Sequence, residues 1–136
     1  MSIQTVLNTT IYDALKGSAT NAGNNVFYLQ APDGPGGQAF PLPFIIFDYV
    51  AEGDDNDNPH RVKNCVAFVR AYASTPAAAG AIDVQIDTAL HGKTLSVTGW
   101  TNFQTQRESG FSLVETDAAG RKIFMSGGEY RIRSAK

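Results

Sequence analysis

A strand and the helix that follows it are encoded by residues 61–90, RVKNCVAFVRAYASTPAAAGAIDVQIDTAL. Within the strand predicted from Arg61 to Ala73, the even positions carry larger apolar side chains and the odd positions carry mostly small ones, such as Cys65 and Ala67. A strand face of small side chains lets a helix pack closely against the sheet. The helix is predicted to begin directly afterwards, because Ser74-Thr75-Pro76 is an N-cap followed by proline in the first turn. These residues therefore predict a sheet with a helix on one face.

Apolar residues then repeat at intervals of three and four up to Leu90, where His91-Gly92 supplies a partner for the helix dipole and a C′ glycine. Residues 3–16 show a similar apolar stripe and predict a first helix, with Ser2 as its N-cap. A short strand is predicted at 26–29. A longer strand is predicted at 44–51, with its odd-numbered side facing the core.

The last third of the chain is predicted to be β-structure. Its strands are expected at 95–107, at 111–116 and from 121 to about 133, with a four-residue hairpin turn at 117–120 that ends on Gly120. In the last strand the even positions Phe124, Tyr130 and Ile132 are expected to face the core. The prediction is a single α+β domain spanning residues 1–136, with a mostly antiparallel sheet, two helices on one face and the order α-β-β-β-α-β-β-β.

Composition excludes several classes of protein. The chain has 136 residues and 43% hydrophobic types, and its longest apolar runs are far shorter than the roughly 20 residues that span a membrane. Its start lacks the basic and apolar regions of a signal peptide, so secretion by that route is not expected. The single cysteine, Cys65, excludes an intrachain disulfide and is compatible with a reducing compartment.

Charge is divided unevenly between the two halves of the chain. Residues 1–60 contain seven acids and one base, whereas residues 61–136 contain ten bases and six acids. The halves therefore carry −6 and +4, within a net charge of −2 that argues against a general nucleic-acid coat. Such a division suits either a monomer with internal pairing or a subunit that meets its own copies head to tail.

Motifs for catalysis or metal binding are missing from the sequence. Asp83 and Asp87 stand one helical turn apart and could bind a cation or act as an acid/base pair, but they are expected to be solvated, opposite the apolar stripe. The Gly-rich segment 34–37 has no P-loop continuation, and no serine has the setting of a nucleophile elbow. We therefore expect no enzyme activity, no catalytic residue, no cofactor-binding residue and no metal ligand.

Three segments are candidates for contact with partners. The acidic turn with Asp54, Asp55 and Asp57 lacks the EF-hand pattern, so a solvated hairpin tip or a partner patch is favoured over a calcium site. The last strand carries Arg131 and Arg133. Their charge could protect an edge strand from unwanted pairing, bind a protein partner or contact nucleic acid. The Gly/Pro loop 31–43 is long and carries Phe40 in a polar setting.

Several features together resemble a known family over nearly the whole chain. They are the helix at 3–16, the segment PLPFIIF at 41–47, the strand VAFVRAYA at 66–73, the helix ending LHG at 90–92 and the late hairpin between 111 and 133. With these features the chain resembles the tail-terminator, or tail-completion, proteins of long-tailed, siphovirus-like bacteriophages. The longer Gly/Pro loop and the acidic turn at 52–57 depart from the family pattern and leave the individual contacts open.

The resemblance implies a structural virion protein and no catalytic residues. Its copies would form a ring, usually a hexamer, at the head-proximal end of the tail tube, where the ring stops tube polymerisation and provides the surface that docks to the head. The implied partners are further copies of the chain, the tail tube protein and a head–tail connector or neck protein. No membrane partner is implied, DNA passes only as cargo through the lumen, and assembly takes place in the host cytoplasm.

Three rival functions remain open on the sequence. One is another neck or head–tail connector component, since related neck proteins share similar folds. The less favoured ones are a small ligand-binding or enzymatic α+β domain and a host-directed phage regulator with a single protein partner. A ring subunit needs two different patches that meet head to tail. We therefore predict that Asp54, Asp55 and Asp57, or Arg131 and Arg133, lie at such a contact or line the lumen, with Phe40 as a further contact residue.

Overall fold

Two α-helices and six β-strands are present in the described part of the chain, which in this computed structural model comprises residues 3–37, 40–54, 62–117 and 120–135. Their order confirms the predicted α-β-β-β-α-β-β-β fold. Short 3₁₀ turns occupy Gly17–Ala19 and Pro35–Gly37. The main elements are α1 (Ile3–Leu15), β1 (Val26–Tyr28), β2 (Phe44–Asp54), β3 (Val62–Ala73), α2 (Pro76–Leu90), β4 (Thr101–Asn102), β5 (Gln106–Thr116) and β6 (Lys122–Ala135).

The strands form one sheet in the order β1-β2-β3-β6, and β6 pairs on its far side with both β4 and β5. β1 runs parallel to β2, and every other pairing is antiparallel. The order places strands from residues 1–60 at one end of the sheet and strands from residues 61–136 at the other. The division of charge in the sequence is therefore also a division in space along the sheet.

The core lies between the helices and one face of the sheet, as predicted. On β3 the small odd-numbered residues, including Cys65 and Ala67, are fully buried, and on β2 the odd-numbered Ile45 and Phe47 face the same side. A sheet face with few large side chains leaves room for the helices. The buried apolar side chains that the helices contribute are Ile3, Leu7, Ile11 and Leu15 from α1, and Ala79, Ile82, Ile86 and Leu90 from α2.

The ends of α2 also follow the prediction. The Thr75 hydroxyl accepts a hydrogen bond of 3.1 Å from the Ala78 N–H, and Pro76 occupies the first turn. Gly92 has φ +73°, a left-handed conformation that favours glycine after a helix. The predicted N-cap of α1, Ser2, lies outside the described residues. Neither helix of the described ranges has the length and apolar character needed to cross a bilayer.

The strand predicted over 95–107 is wrong in extent. Between residues 95 and 105 only Thr101–Asn102 pairs with β6, and the residues before it form an irregular segment with Leu95 and Val97 buried, while residues 106 and 107 belong to β5. Asn102 explains the difference, because its side-chain oxygen accepts from the Leu95 N–H at 2.7 Å and its amide donates to the Arg133 carbonyl at 2.9 Å. A side chain thus satisfies backbone groups that a regular strand would pair.

β5 is one continuous strand, although two separate segments were predicted within it. Its pairing with β6 shifts between Arg107 and Ser109, and this irregularity at Glu108 lets the strand continue from Gln106 to Thr116. The following turn ends on Gly120 with φ +82°, as predicted. On β6 the predicted core residues Tyr130 and Ile132 are buried, while Phe124 is half-buried.

Candidate functional site

A polar cluster centred on Arg107 joins α2 to the sheet. Arg107 on β5 donates to both carboxylate oxygens of Asp83 at 2.9 and 3.1 Å, and also to the Gly127 carbonyl at 3.0 Å. The Ser126 hydroxyl donates to Asp83 at 2.9 Å, and Tyr130 donates to Asp87 at 3.2 Å. The hydrogen bond with Asp83 raises the pKa of Arg107, while burial raises the pKa of Tyr130. The cluster is thus charged and internally hydrogen-bonded, with Arg107, Asp83 and Tyr130 largely shielded from water and Asp87 partly exposed.

The expectation that Asp83 and Asp87 are solvated is wrong for Asp83, whereas the Asp87 side chain is still 40% exposed. Asp83 is 9% exposed, and Asp87 accepts from Tyr130 and lies 3.9 Å from the guanidinium of Arg107. The apolar stripe of α2 identified the face against the strands, but β5 also packs alongside the helix and brings Arg107 to these acids. Sequence spacing carried no signal of this, because 24 residues separate Asp83 from Arg107.

Two glycines make room for the Arg107 side chain. The three heavy atoms nearest to a Cβ on Gly110 would all belong to the guanidinium of Arg107, and a Cβ on Gly128 would lie 2.7 Å from its Nε and 2.6 Å from the Ser109 carbonyl. Gly110 and Gly128 are paired across β5 and β6. The glycine pair therefore has a packing role that the sequence alone did not reveal.

His91 also connects α2 to β5. Its backbone N–H donates to the Asp87 carbonyl, and its Nδ1 accepts from the Arg107 N–H at 2.9 Å. In this arrangement the imidazole acts as a hydrogen-bond acceptor for the strand. The expected helix-end position is confirmed, and its main partner is the start of β5.

The predicted contact residues of the basic strand lie on β6. Arg131 forms a two-pronged ion pair with Glu108, which raises the pKa of Arg131 and lowers the pKa of Glu108. Arg133 is exposed, with its guanidinium 5.4 Å from the centre of the Phe103 ring. Part of the basic charge of this strand is therefore matched within the chain.

The acidic candidates lie at the far end of β2. Asp54 is the last residue of β2 and pairs with Lys63 in the backbone register, while Asp55 and Asp57 lie outside the described residues. Lys63 in turn pairs with Ser134 of β6. The register therefore places Asp54 and Arg133 at nearly the same level along the strand direction, on opposite sides of β3.

Phe40 packs into an aromatic cluster on the face of the sheet opposite the helices. Its ring centre is 5.0 Å from that of Phe27 and 6.0 Å from that of Phe44, and Phe44 stacks on Tyr72 at 5.2 Å. Phe40 is half-buried. The Gly/Pro loop is thus attached to the sheet through this ring.

The same face of the sheet carries an ion pair in which some polar atoms have no hydrogen-bond partner. Arg70 donates to Asp48 at 2.8 Å, and its guanidinium lies 4.6 Å from the centre of the Phe68 ring. Among the described residues, Asp48 Oδ1, Arg70 Nε and Asn64 Oδ1 are buried without a hydrogen-bond partner. A surface of half-buried aromatics and partly satisfied polar groups is suited to contact with protein.

A groove of about 910 Å³ runs between α1 and the segment before β4. Threonines and apolar residues dominate its lining, and Thr10 donates across its floor to the Ser96 carbonyl at 2.8 Å. Asp13, one of its two charged lining residues, is paired with Lys16 at 3.0 Å. Over the described ranges, no group of three or more His, Cys, Asp or Glu residues forms a candidate metal site.

No protein-family model and no curated protein matches the sequence. Among solved structures, a chain from the "Virion of native gene transfer agent (GTA) particle" aligns with a TM-score of 0.73, over 99% of this chain and 98% of that one. The two chains have the same fold. Their sequences are 13% identical, so the likeness extends over the whole domain without specifying individual side chains.

Proposed function

We propose that this chain is a structural virion protein that forms a ring at the head-proximal end of a phage tail. In this role the ring ends the tail tube, stops its polymerisation and provides the surface that docks to the head. The observation that carries the proposal is the whole-length likeness to a chain of a gene transfer agent virion. The sequence features that resemble tail-terminator proteins support the more specific role.

The distribution of charge supports assembly into a ring. A ring requires a heterologous contact, in which two different patches of the same chain meet. β1 and β2 contain three acids and no base, whereas β5 and β6 contain four bases and three acids. Because these strand pairs lie at opposite ends of the sheet, neighbouring copies that meet end to end would bring unlike charge together.

The predicted contact residues remain part of this proposal, but they are not equally suited to contact a neighbouring molecule. Arg133 is exposed and lies on β6, at nearly the same level along the strand direction as Asp54 on β2. Arg131 contributes less net charge to a neighbour, because Glu108 already pairs with it. Phe40 anchors the Gly/Pro loop, so the loop residues before it are the ones presented to the tube or the head.

The decisive experiment removes this protein during phage assembly and measures the tails by electron microscopy. A terminator is expected to give overlong tails without heads when it is missing. Tails of normal length that lack heads would instead identify a head–tail connector, the main alternative. Normal tails on normal particles would contradict a role in the virion neck altogether.

A further inference from the structure

The strand β1 ends in a strained turn centred on Leu29. Its φ is +72°, and no other non-glycine residue in the described part of the chain has a positive φ. The Gln30 N–H donates to the Tyr28 carbonyl at 2.9 Å, which closes a γ-turn around Leu29. A γ-turn with a positive φ at its central residue is the rare and strained form. The Cβ atom makes this backbone conformation costly, whereas a glycine would adopt it freely.

Strain of this kind persists only where neighbouring structure holds it in place. Before the turn, the Leu29 N–H donates to the Phe47 carbonyl at 2.9 Å and fixes the end of β1 to β2. The Leu29 side chain is 58% exposed, so its own packing holds the turn only weakly. The restraint after the turn must therefore come from the Gly/Pro loop that follows.

The Gly/Pro loop is attached to the sheet through a small contact. Apart from the bond that closes the turn, residues 30–37 make one hydrogen bond to the described part of the chain, and it is internal to the loop. Most of these residues are exposed. The ring of Phe40 lies edge-on to the rings of Phe27 and Phe44, with centre distances of 5.0 and 6.0 Å. This ring is therefore the anchor that keeps the loop against the sheet.

The segment before the anchor is able to pivot. Gly36 and Gly37 have φ +68° and +75°, and glycine moves between positive and negative φ at little cost. A change at these two residues would let Phe40 leave the sheet without disturbing β2. Once the anchor is gone, nothing described after Leu29 would hold its strained conformation.

We propose that the Gly/Pro loop is a strap with two positions, closed on the sheet in the free chain and open when the chain docks to the tail tube or the head. In the open position Phe40 leaves the two rings and Leu29 relaxes to an ordinary backbone conformation. Relief of strain at one residue and exposure of one half-buried ring are opposite in sign and similar in size, so the two positions are close in free energy. The docking part of this inference rests on the proposed function.

The first arm of the test measures the strap in the free chain. A 4-fluorophenylalanine placed at position 40 reports the two positions by fluorine NMR, and relaxation dispersion detects a minor position on the microsecond-to-millisecond scale. The matched variants are Leu29→Ala, which keeps the Cβ penalty, and Leu29→Gly, which removes it. We expect the open population to be roughly tenfold smaller with glycine than with alanine, the factor that corresponds to the cost of a left-handed conformation.

The second arm measures the strap during docking. In a chain bound to tail tubes or to heads, the fluorine signal at position 40 should be that of the open position. Leu29→Gly should bind about tenfold more weakly than Leu29→Ala, because apparent affinity falls with the population of the competent position. Phe27→Leu removes one of the rings that hold Phe40, so it should raise the open population and strengthen binding.

The results that would overturn the strap leave the proposed function standing. They are a free chain without exchange at position 40 in the wild type and in Leu29→Ala, equal open populations in the two Leu29 variants, or a docked chain that keeps the closed signal. A wild-type chain that docks to neither tubes nor heads would contradict the proposed function, and with it the docking role of the strap.

Discussion

Arg107 on β5 donates two hydrogen bonds, of 2.9 and 3.1 Å, to the carboxylate of Asp83 on α2. Arg107→Met would leave Asp83 shielded and without its cation, and we expect a loss of about 3 kcal/mol in the free energy of unfolding. The double variant with Asp83→Leu should lose less than the sum of the two single changes, because neither charge remains uncompensated. Chemical denaturation of the four proteins measures this difference. Strictly additive losses would show that the pair acts as two independent contacts.

Gly110 offers a second test of the same cluster. The heavy atoms nearest to a Cβ at this position are those of the Arg107 guanidinium, so Gly110→Ala should destabilise the protein by about 1 to 3 kcal/mol through overpacking. In an Arg107→Ala background the same change should cost close to nothing. Gly128→Ala is the matched contrast, because its Cβ also meets the backbone carbonyl of Ser109 and should remain costly in both backgrounds.

The buried phenol of Tyr130 predicts a response to alkaline pH. Burial raises its pKa in the folded protein, so the neutral form is favoured there relative to the unfolded chain. This contribution is fully present below the ordinary tyrosine pKa of about 10 and is lost as pH rises above it. Denaturation between pH 8 and 12 should therefore show falling stability, with a shallower fall in Tyr130→Phe. Burial also raises the pKa of Tyr72, which should leave part of the slope in that variant.

The control for the alkaline experiment is Tyr28→Phe. Tyr28 is 37% exposed, whereas Tyr130 is fully buried in the core. We expect the Tyr28 variant to keep the alkaline slope of the wild type. Equal slopes in the Tyr130 variant and the wild type would contradict the assignment.

Charge reversal on the last strand tests the electrostatic part of the ring. Arg131→Glu with Arg133→Glu should weaken assembly in native mass spectrometry, because the excess of bases at this end of the sheet is removed. A higher salt concentration should also weaken the assembly of wild-type rings. The control, Lys16→Glu with Lys93→Glu, changes the net charge by the same amount near the groove and should assemble normally. Unchanged rings in the first variant would exclude a role for these arginines in assembly.

Variants of the Gly/Pro loop can distinguish an effect on docking from an effect on folding. Deletion of residues 33–38 removes loop residues before Phe40, whose ring supplies the aromatic contact with the sheet, so thermal unfolding should stay cooperative while docking to the tube or head is impaired. Phe40→Ala is the converse variant and should lose about 1 to 2 kcal/mol through reduced apolar burial. Pull-down with tail tubes and a thermal melt distinguish the two. A broad melt after the deletion would mean that the removed residues are part of the core.

Periodic side-chain patterns and capping residues in the sequence predicted β3 and α2, because both elements depend on residues that are close together in the chain. The small odd positions of β3 predicted the helical face, and Thr75-Pro76 with Gly92 predicted both ends of α2. The predicted strand at 95–107 was wrong because Asn102 satisfies backbone groups through its side chain, a contact that has no period. β5 was divided in the prediction because its irregularity at Glu108 breaks the alternation of the strand.

The sequence by itself determined the fold class, the order of elements, the buried faces and the unequal charge of the two halves, since each follows from residues close together in the chain. Only the tertiary structure decided where that charge lies, because strand order in the sheet placed the acidic and basic halves at opposite ends. It also paired Asp83 with Arg107 and made β5 an outer strand in the described part of the sheet, since both depend on which distant strands become neighbours. Long-range strand pairing, which local patterns do not encode, is the physical reason for that difference.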